Sequence, residues 1–537
     1  MEIYQGKSVF AGIAIGKILV WKRGEREVVR RDVEDVDREL RRLSAALSRM
    51  TRQLKTLYQT AVSAVGERDA MIFDGHLAIA EDPALLERIR GMIREQHVNA
   101  EYAAAQAGAH YAALFEAIPD DYMRERAGDV RDITDRLIAI LQGRQVDEAA
   151  MEQGTIIVAE DLTPSETMQM NREKVGAFVV RLGAPTSHTA ILARSMNLPA
   201  LIQTPYENRI DGHLAIVDGI GGSLIVDPDE ETLRDYRGRL RKEQEKARLL
   251  LSLKGLGNLS RSGRRMEIYA NAACIEDIDS ALQNDAHGIG LFRSEFVYLG
   301  KETYPTEEEQ FRIYREALQR MEGREVVIRT LDIGADKKAP YFGIAPEANP
   351  ALGYRAIRIC LQEPELFRTQ LRALLRAASY GRLAIMYPMI CTLEEVRAAR
   401  ACACRARREL EEEGCAVPSV REGIMIETPA AVMISDLLAK ESDFFSIGTN
   451  DLTQYTLAVD RQNDKVNALF DPHNESVLRM IELTAKNAHA AGIPVGICGE
   501  LGSDTGLTGR FLSMGIDEVS VSPAMVLPVR KALREND

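Results

Sequence analysis

Charged side chains stand directly after several short apolar runs in the second half of the chain. Arg293 closes GIGLFR, Arg329 follows VVI, Glu427 closes GIMIE, and Asp451 comes shortly after FFSIG. If these runs are parallel strands, their carboxyl ends meet on one rim of a sheet or barrel. Polar groups also end strands by chance, but two arginines and two carboxylates on one rim predict a binding or catalytic site.

The arginines indicate the kind of ligand. Arg293 and Arg329, with Arg461 in a following loop, suggest a small phosphorylated acid, because a guanidinium fork binds carboxylate and phosphate groups through paired hydrogen bonds. For any one of these arginines alone, a structural salt bridge is an equally good interpretation. The set of three favours a ligand.

The two carboxylates indicate a metal. Glu427 and Asp451 supply hard oxygen ligands from adjacent predicted strands. Mg²⁺ is commonly held by only two protein carboxylates, with substrate and water completing its shell. The competing interpretation is a buried general acid and base pair.

A cysteine ends another of the apolar runs. Cys498 lies in GICGE with glycine on both sides, which predicts an accessible thiol at a strand end. The usual fate of a single cysteine is an inert core position. Its place on the predicted rim makes a proton donor or acceptor the alternative.

A second candidate centre lies in GAPTSHTAILARS, which starts at Gly183. A helix is predicted to begin near Ser187 and His188, with Thr186 or Ser187 as its cap. His188 would then lie beside free backbone N–H groups at the positive end of a helix, where a phosphoryl group is well placed. Imidazole nitrogen is nucleophilic at neutral pH, so the ring can carry phosphate transiently. The alternative is an ordinary hydrogen-bonded polar residue.

Eight short apolar runs that alternate with helical segments must position the rim residues. Eight such repeats in the region 259–537 match the size and count of a TIM (β/α)8 barrel. The runs are continuously hydrophobic, as buried parallel strands should be. They are MEIYAN, GIGLFR, VVIRTLD, LAIMYPM, GIMIE, FFSIGTND, PVGICGE and EVSVS.

The first half of the chain shows three other patterns, so the chain is predicted to be an α/β multidomain protein. Residues 22–143 carry apolar side chains at helical spacing and predict a helical bundle, interrupted at Asp82-Pro83 and Pro119-Asp120. Residues 144–228 contain short β-branched runs, and the apolar strand in residues 1–21 is expected to join their sheet, with the bundle inserted between. Residues 229–258 predict a charged linker helix.

Composition narrows the class of protein. The 537 residues are 45% hydrophobic and 28% charged, which is typical of a soluble globular chain. A net charge of −13 disfavours nucleic acid as a partner and leaves a basic protein or a phosphorylated small molecule. Seven cysteines, none before Cys274, make a poor disulfide framework and predict a reducing, cytoplasmic location. No run of 18 apolar residues predicts a membrane span.

Several motifs in order resemble a known family. They are GKSVFAGIAIG, DLTPSETMQ, GAPTSHTAILARS, GLFRSEFVYL, VVIRTLDIGADK, NPALGYRAIR, IMIETPAAV, SIGTNDLTQYTLAVDR, GICGE and MGIDEVSVS. Together they resemble the phosphoenolpyruvate–protein phosphotransferases, the enzyme I family of the bacterial sugar phosphotransferase system. The resemblance covers nearly the whole chain.

The resemblance implies a reaction. Phosphoenolpyruvate would bind with Mg²⁺ in the barrel and phosphorylate a histidine of the N-terminal α/β phosphohistidine domain. That domain would then pass the phosphoryl group to a histidine of the small carrier HPr, docked on the helical subdomain, and pyruvate would be released. Family members form homodimers through the barrel, so a homodimer is also implied.

The resemblance also assigns roles to residues. His188 matches the phosphorylated histidine, and Cys498 matches the group that protonates the enolpyruvate carbon. Thr167 matches a threonine that hydrogen-bonds the histidine, and Lys337, in GADK, is expected near the substrate. The remaining matches are the substrate arginines, an asparagine beside them and the metal ligands: Arg293, Arg329, Arg461, Asn450, Glu427 and Asp451.

The sequence departs from the family pattern in places, and other functions are open. Ala184-Pro185 replaces the usual glycine pair before the threonine, serine and histidine, and Thr428 replaces an aliphatic residue. Pyruvate phosphate dikinase and phosphoenolpyruvate synthase share this logic but need a nucleotide-binding domain, for which the length leaves no room. A nitrogen-branch paralogue would carry a sensory domain ahead of GKSVFAGIAIG. A non-catalytic phosphocarrier or regulator is the third alternative, and the complete set of strand-end residues argues against it.

Overall fold

The computed structural model describes most of the chain. The parts outside the description are residues 22–27, 119–120, 144–150, 163–165, 167–169, 171–173, 184–189, 191–192, 194–197, 300, 302, 335–339, 346 and 464, together with the side chains of 57–74, 121–125 and 340. The described chain divides into two compact units, Met1–Glu245 and Lys246–Asp537.

The first unit contains an eight-stranded sheet in the order β1-β8-β7-β3-β4-β5-β6-β2. Its strands are β1 (Glu2–Gln5), β2 (Lys7–Phe10), β3 (Ile13–Trp21), β4 (Thr155–Ala159), β5 (Val175–Val180), β6 (Ala200–Ile202), β7 (Leu214–Asp218) and β8 (Ser223–Val226). β3 pairs with β4 in parallel and with β7 in antiparallel orientation. The N-terminal strands therefore join the later sheet, as the sequence predicted, and the helices between them are an insertion.

Four long helices make up the insertion: α1 (Val36–Ala80), α2 (Pro83–Gln96), α3 (Ala100–Glu116) and α4 (Asp121–Leu141). Asp82 caps α2 by accepting a hydrogen bond from the Leu85 N–H, and Pro83 takes the first helical position, where its missing N–H costs nothing. A third break, which the sequence did not predict, separates α2 from α3. There His97 has φ 51°, a left-handed conformation that ends a helix.

A charged helix, α5 (Glu230–Leu251), follows the sheet. None of its residues is fully buried, although Leu233, Tyr236 and Leu240 pack against Ile13 and its sheet neighbours. The charge run is therefore a solvated face. The helix ends at Leu251, seven residues before the end of the predicted range 229–258.

The second unit contains a closed barrel of eight parallel strands, which confirms the predicted fold class. The strands are β9 (Glu267–Ala272), β10 (Ile289–Arg293), β11 (Glu325–Arg329), β12 (Arg382–Tyr387), β13 (Arg421–Ile426), β14 (Phe445–Ile447), β15 (Val495–Ile497) and β16 (Glu518–Val521). Each lies within or overlaps one of the eight apolar runs. Their outward side chains pack under the surrounding helices in one large apolar core.

Helices alternate with the barrel strands. They are α6 (Ile275–Gln283), α7 (Glu307–Arg320), α8 (Ile357–Gln362), α9 (Pro364–Ala377), α10 (Leu393–Glu412), α11 (Pro429–Met433), α12 (Ser435–Leu438), α13 (Thr449–Leu457), α14 (Glu475–Ala490), α15 (Thr508–Met514) and α16 (Val526–Glu535). Short 3₁₀ turns occur at Asn208–Ile210, Ser294–Val297, Pro340–Phe342, Pro350–Leu352, Ala378–Tyr380, Ala439–Glu441, Asn467–Leu469, Glu500–Ser503 and Pro523–Met525.

The barrel interior has its own small apolar cluster, separate from the core under the helices. Its members are Leu291, Val327, Ala384, Met386, Met425, Phe444 and Cys498. Residues two apart on one strand share a face, so Leu291 and Arg293 both project inward, with Arg293 at the carboxyl end. Within the described ranges, no helix combines the length and the apolar character needed to cross a bilayer.

Candidate active site

A cavity of about 340 Å³ opens at the carboxyl ends of the barrel strands. β10 ends at Arg293 and β11 at Arg329, while Glu427 and Cys498 follow the last residues of β13 and β15. Seven residues predicted from the sequence line this cavity: Arg293, Arg329, Glu427, Asn450, Asp451, Arg461 and Cys498. The barrel thus gathers residues that are more than 200 positions apart, and their roles remain predictions.

Arg329 is held in a buried ion network. Its Nη2 lies 2.5 Å from Glu295 Oε1, and its Nη1 lies 3.0 Å from Asp332 Oδ2. All three side chains are less than a tenth exposed. Burial lowers the pKa of Arg329, but the adjacent carboxylates of Glu295 and Asp332 outweigh it and hold the pKa above its ordinary value. The guanidinium is therefore a permanently charged and rigidly oriented donor.

Arg355 extends the same network, and the sequence analysis did not assign it a role. Its Nη2 lies 2.9 Å from Asp332 Oδ1, and its Nη1 lies 3.6 Å from Asp451 Oδ1. Arg355 also lines the cavity. It follows a loop rather than a strand end, so strand-end reasoning could not find it, although it lies in the quoted motif NPALGYRAIR.

Glu427 is almost completely buried at the cavity floor. Its Oε1 accepts a hydrogen bond of 2.6 Å from the Met389 N–H. Burial, followed by the charges of Asp451 and Asp332, raises the pKa of Glu427 well above its ordinary value, and Arg329 and Arg355 act in the opposite sense. A Cβ at Gly448 would lie 2.9 Å from Glu427 Oε2, so a glycine is needed beside this carboxylate.

Three non-glycine residues near the cavity adopt left-handed backbone conformations. Met389 has φ 57°, and both Ala356 and Ala458 have φ 54°. Such conformations cost of order 1 kcal/mol in residues with a side chain, and they cluster at functional sites. The left-handed conformation of Met389 directs its N–H at the Glu427 carboxylate, to which it donates a hydrogen bond. Ala356 follows Arg355 in the chain, so the strained backbone adjoins a second cavity residue.

Arg293 and Arg461 differ from the buried arginines. In the part of the chain that the structure describes, no carboxylate lies within salt-bridge distance of either guanidinium, and both line the cavity. Nearby, Asn450 donates from Nδ2 to Glu500 Oε1 at 3.1 Å. These two arginines therefore present positive charge that no carboxylate among the described residues neutralises.

Cys498 lies at the cavity floor and is 3% exposed. Burial raises the pKa of its thiol to about 11, so the sulfur carries its proton near neutral pH. The Asn271 Nδ2 donates to the Cys498 carbonyl at 3.2 Å, and Ser520 Oγ donates to Asn271 Oδ1 at 2.7 Å. Side chains of two neighbouring strands thus hold the backbone of the thiol in place.

Not every residue predicted from the sequence belongs to the described part of the chain. His188, Thr167 and Lys337 lie outside the described residues, as does the pair Ala184-Pro185. Tyr387 ends β12, but its hydroxyl donates to Glu422 at 2.7 Å and the ring packs outside the barrel. Thr428 caps helix α11 by accepting from the Ala431 N–H.

The carboxylates fit a divalent cation. Glu427 and Asp451 both face the cavity, and the mutual repulsion that raises the pKa of Glu427 is what a cation would relieve. Among the described residues no group of three or more potential ligands occurs. A pair of carboxylates with open positions is suited to an ion that also binds substrate and water.

Comparison with known proteins shows the family of this chain. The family described as PEP-utilising enzyme, PEP-binding domain matches residues 249–537, which is more than half of the chain. The N-terminal domain and the mobile domain of PEP-utilising enzymes match residues 5–126 and 151–222. The phosphoenolpyruvate-protein phosphotransferase of Priestia megaterium is 43% identical, covering 99% of this chain and 93% of the relative.

The chain belongs to the phosphoenolpyruvate–protein phosphotransferase family. The family membership that the sequence motifs predicted is therefore confirmed. The Bacillus subtilis phosphoenolpyruvate-protein phosphotransferase is 42% identical, covering 99% of this chain and 94% of the relative. A solution structure described as Enzyme I is 34% identical over 45% of this chain and 99% of its own, with a TM-score of 0.39.

Membership in this family makes the chain an enzyme, and its domains are those of PEP-utilising enzymes. The cavity lies within the PEP-binding domain match, as do its arginines, its two carboxylates and its thiol. His188 lies within the mobile domain match.

Proposed function

We propose that this chain transfers the phosphoryl group of phosphoenolpyruvate through His188 to a histidine of the carrier protein HPr and releases pyruvate. This would be the first step of the bacterial sugar phosphotransferase system. The observation that carries the proposal is the convergence of arginines, two carboxylates and a protonated thiol on one barrel cavity.

Charge complementarity supports the substrate. Phosphoenolpyruvate carries two anionic groups, a carboxylate and a phosphate. The guanidinium groups of Arg293 and Arg461 have no described carboxylate within salt-bridge distance, so their positive charge is available to these groups. Arg329 and Arg355 are held in fixed orientations by Asp332. Paired hydrogen bonds from such forks would bind both ends of the substrate, with Asn450 beside them. Lys337 is proposed to lie near the substrate.

Glu427 and Asp451 would hold Mg²⁺, which supplies neutralisation of the phosphoryl charge when bound. Phosphoryl transfer passes through a loose transition state, so charge neutralisation and alignment contribute more than covalent assistance. Arg329 and Arg355 contribute fixed positive charge in the same low-dielectric cavity, where electrostatic interactions are strong.

The proposed chemistry balances in two steps. The bond between phosphorus and the C2 oxygen breaks while a bond forms between phosphorus and an imidazole nitrogen of His188, with Thr167 hydrogen-bonding the ring. The enolate of pyruvate remains, and its C3 takes the proton of the Cys498 thiol. The thiolate then recovers a proton from solvent. The raised pKa of Cys498 keeps the acid loaded at neutral pH.

We also propose a function for each domain of the chain. Residues 1–21 and 144–228 form the phosphohistidine domain, 22–143 bind HPr, 229–258 are the linker, and 259–537 bind phosphoenolpyruvate. The net charge of −13 favours a carrier that presents a basic face. A homodimer through the barrel and a cytoplasmic location complete the proposal.

Labelling tests the central claim. The protein is mixed with phosphoenolpyruvate labelled in its phosphate and with Mg²⁺, without nucleotide, and acid-labile, base-stable label on the chain is measured. Label on the wild type and its loss in His188→Ala are expected. His213→Ala is the matched control, because His213 is an exposed histidine paired with Asp227 in the same unit, and it should label normally. Absence of label, or label that survives His188→Ala, would contradict the proposal.

A further inference from the structure

We propose that Leu291 and Met425 restrict the substrate to enol phosphates without a substituent at C3. This inference rests on the proposed function, because it concerns which phosphoenolpyruvate analogues the same cavity accepts. It names two apolar residues as specificity determinants that the sequence analysis did not identify.

The barrel interior shows where the reacting carbon must lie. Of the seven buried members of the interior apolar cluster, three also line the cavity: Leu291, Met425 and Cys498. They are 3%, 2% and 3% exposed. We call these three residues the apolar floor of the cavity. They are the cavity-lining members of the interior apolar cluster, so the floor is suited to the uncharged end of the substrate.

Chemistry then places C3 on this floor. The Cys498 thiol must approach C3 to deliver its proton, and hydrogen-bond reach limits that separation. The carboxylate and phosphate of the substrate are drawn to the arginines instead. The two hydrogens of the C3 methylene group therefore face Leu291 and Met425, which share the floor with the thiol.

Met425 has little freedom to move aside. Its Sδ lies 3.8 Å from Arg329 Nη1, and a Cβ on Gly448 would meet the same sulfur at 3.1 Å. Arg329 is itself fixed by Glu295. Leu291 lies two residues before Arg293 on β10, so it packs inward beneath the rim. Because packed interiors resist added volume, these two side chains should oppose a methyl group on C3.

The test compares phosphoenolpyruvate with its C3-methyl homologue, the enol phosphate of 2-oxobutyrate. Both are labelled in the phosphate, and the second-order rate constant for single-turnover labelling of the full chain is measured with each. One additional methyl group in a tight apolar site should reduce labelling by about 10- to 200-fold in the wild type. Labelling by phosphoenolpyruvate itself reports on the proposed function and is independent of this comparison.

Enlarging the floor should relax the preference. Leu291→Ala and Met425→Ala are each expected to reduce the preference for phosphoenolpyruvate by about tenfold or more, since each removes the volume that opposes the methyl group. Val327→Ala is the matched control, because Val327 belongs to the same interior cluster and is 3% exposed but does not line the cavity. It should leave the ratio unchanged.

The ratio of two substrates cancels losses of folded protein, and Leu291→Val and Met425→Val provide smaller changes if an alanine variant unfolds. Two outcomes would overturn the proposal. One is a wild type that labels equally fast with both compounds. The other is a set of floor variants whose ratio stays at the wild-type value or changes no more than that of Val327→Ala. A wild type that labels with neither compound would instead contradict the proposed function.

Discussion

Glu295 and Arg329, which end or follow neighbouring barrel strands, form a buried ion pair with 2.5 Å between Oε1 and Nη2. Asp332 links Arg329 to Arg355, and Arg355 reaches Asp451, so negative and positive side chains alternate across the cavity wall. This network is pre-organised before any ligand binds, because each of its five side chains already has a partner that fixes its orientation.

The Glu295–Arg329 pair should be important for stability. Removing one partner of a buried pair costs about 3–5 kcal/mol, and the remaining contact of Arg329 with Asp332 places this case at the lower end of that range. We expect Glu295→Leu to lower the free energy of unfolding by about 3 kcal/mol or more, and Glu295→Gln to lower it less, since the amide oxygen still accepts from Arg329. Urea unfolding measures both. Asp279→Leu, which breaks an exposed pair with Arg320, should cost less than about 1 kcal/mol. Equal losses at the two sites would contradict this account.

Arg355 should not tolerate lysine. Its two terminal nitrogens contact Asp332 and Asp451 at once, whereas an ammonium group is a single point charge. We expect Arg355→Lys to lower the labelling rate at saturating phosphoenolpyruvate by roughly tenfold and to raise the Mg²⁺ concentration needed for half-maximal labelling. A Mg²⁺ titration of labelling measures both effects. Arg312→Lys, in an exposed ion pair with Glu308, should behave as the wild type. An unchanged Mg²⁺ titration in Arg355→Lys would contradict the proposed role of Arg355 in binding and catalysis.

Substitution of Cys498 should affect pyruvate formation and phosphate exchange with HPr differently. We expect Cys498→Ala to slow pyruvate formation by about 100-fold, as for loss of a general acid, while exchange of phosphate between His188 and HPr continues. The thiol pKa of about 11 also predicts slow alkylation at neutral pH that accelerates as the pH rises. Cys415→Ala removes an exposed cysteine and serves as the control. Equal loss of both activities in Cys498→Ala would count against the proton-donor role.

Glu518 should make the stability of the protein depend on pH. Burial, followed by the charges of Glu325 and Glu267, raises the pKa of Glu518 to about 8, although Arg421 opposes the shift. Between about pH 4 and pH 8, the folded state therefore holds a proton on Glu518 that the unfolded state has released. The stabilisation that comes from the protonated carboxyl is complete below about pH 4 and is lost as the pH rises from there through about 8.

Glu518→Gln removes this titration. The melting temperature of the variant relative to the wild type should rise as the pH increases from about 5 to about 9. Glu394→Gln, at an exposed helix position, is the control and should show a constant difference. A constant difference for Glu518→Gln as well would show that the carboxyl ionises normally in the folded protein.

The barrel could be predicted from sequence because its signal is local. Most of its strands are buried on both sides and therefore appear as short apolar runs, as in VVI before Arg329. The helical insertion was equally clear, since Pro83 marks the start of a helix. The break at His97 could not be predicted in the same way, because no proline or glycine marks it.

Parts of the site could not be predicted. Arg355 lies 23 residues beyond Asp332 and reaches it through the fold, not through the sequence pattern. The left-handed conformation of Met389 has no signal either, since methionine has no preference for it. Tyr387 occupies a strand end yet faces outward, because alternate residues of a strand point to opposite sides.

The sequence by itself determined the chemical groups at the barrel rim and the elements that present them, because hydrophobic periodicity and residue type are properties of short segments. Only the tertiary structure decided which charges compensate one another. It pairs Arg329 and Arg355 with buried carboxylates, and it leaves Arg293 and Arg461 facing the cavity without a carboxylate partner among the described residues. Electrostatic pairing depends on distances through space, and closing the barrel sets those distances.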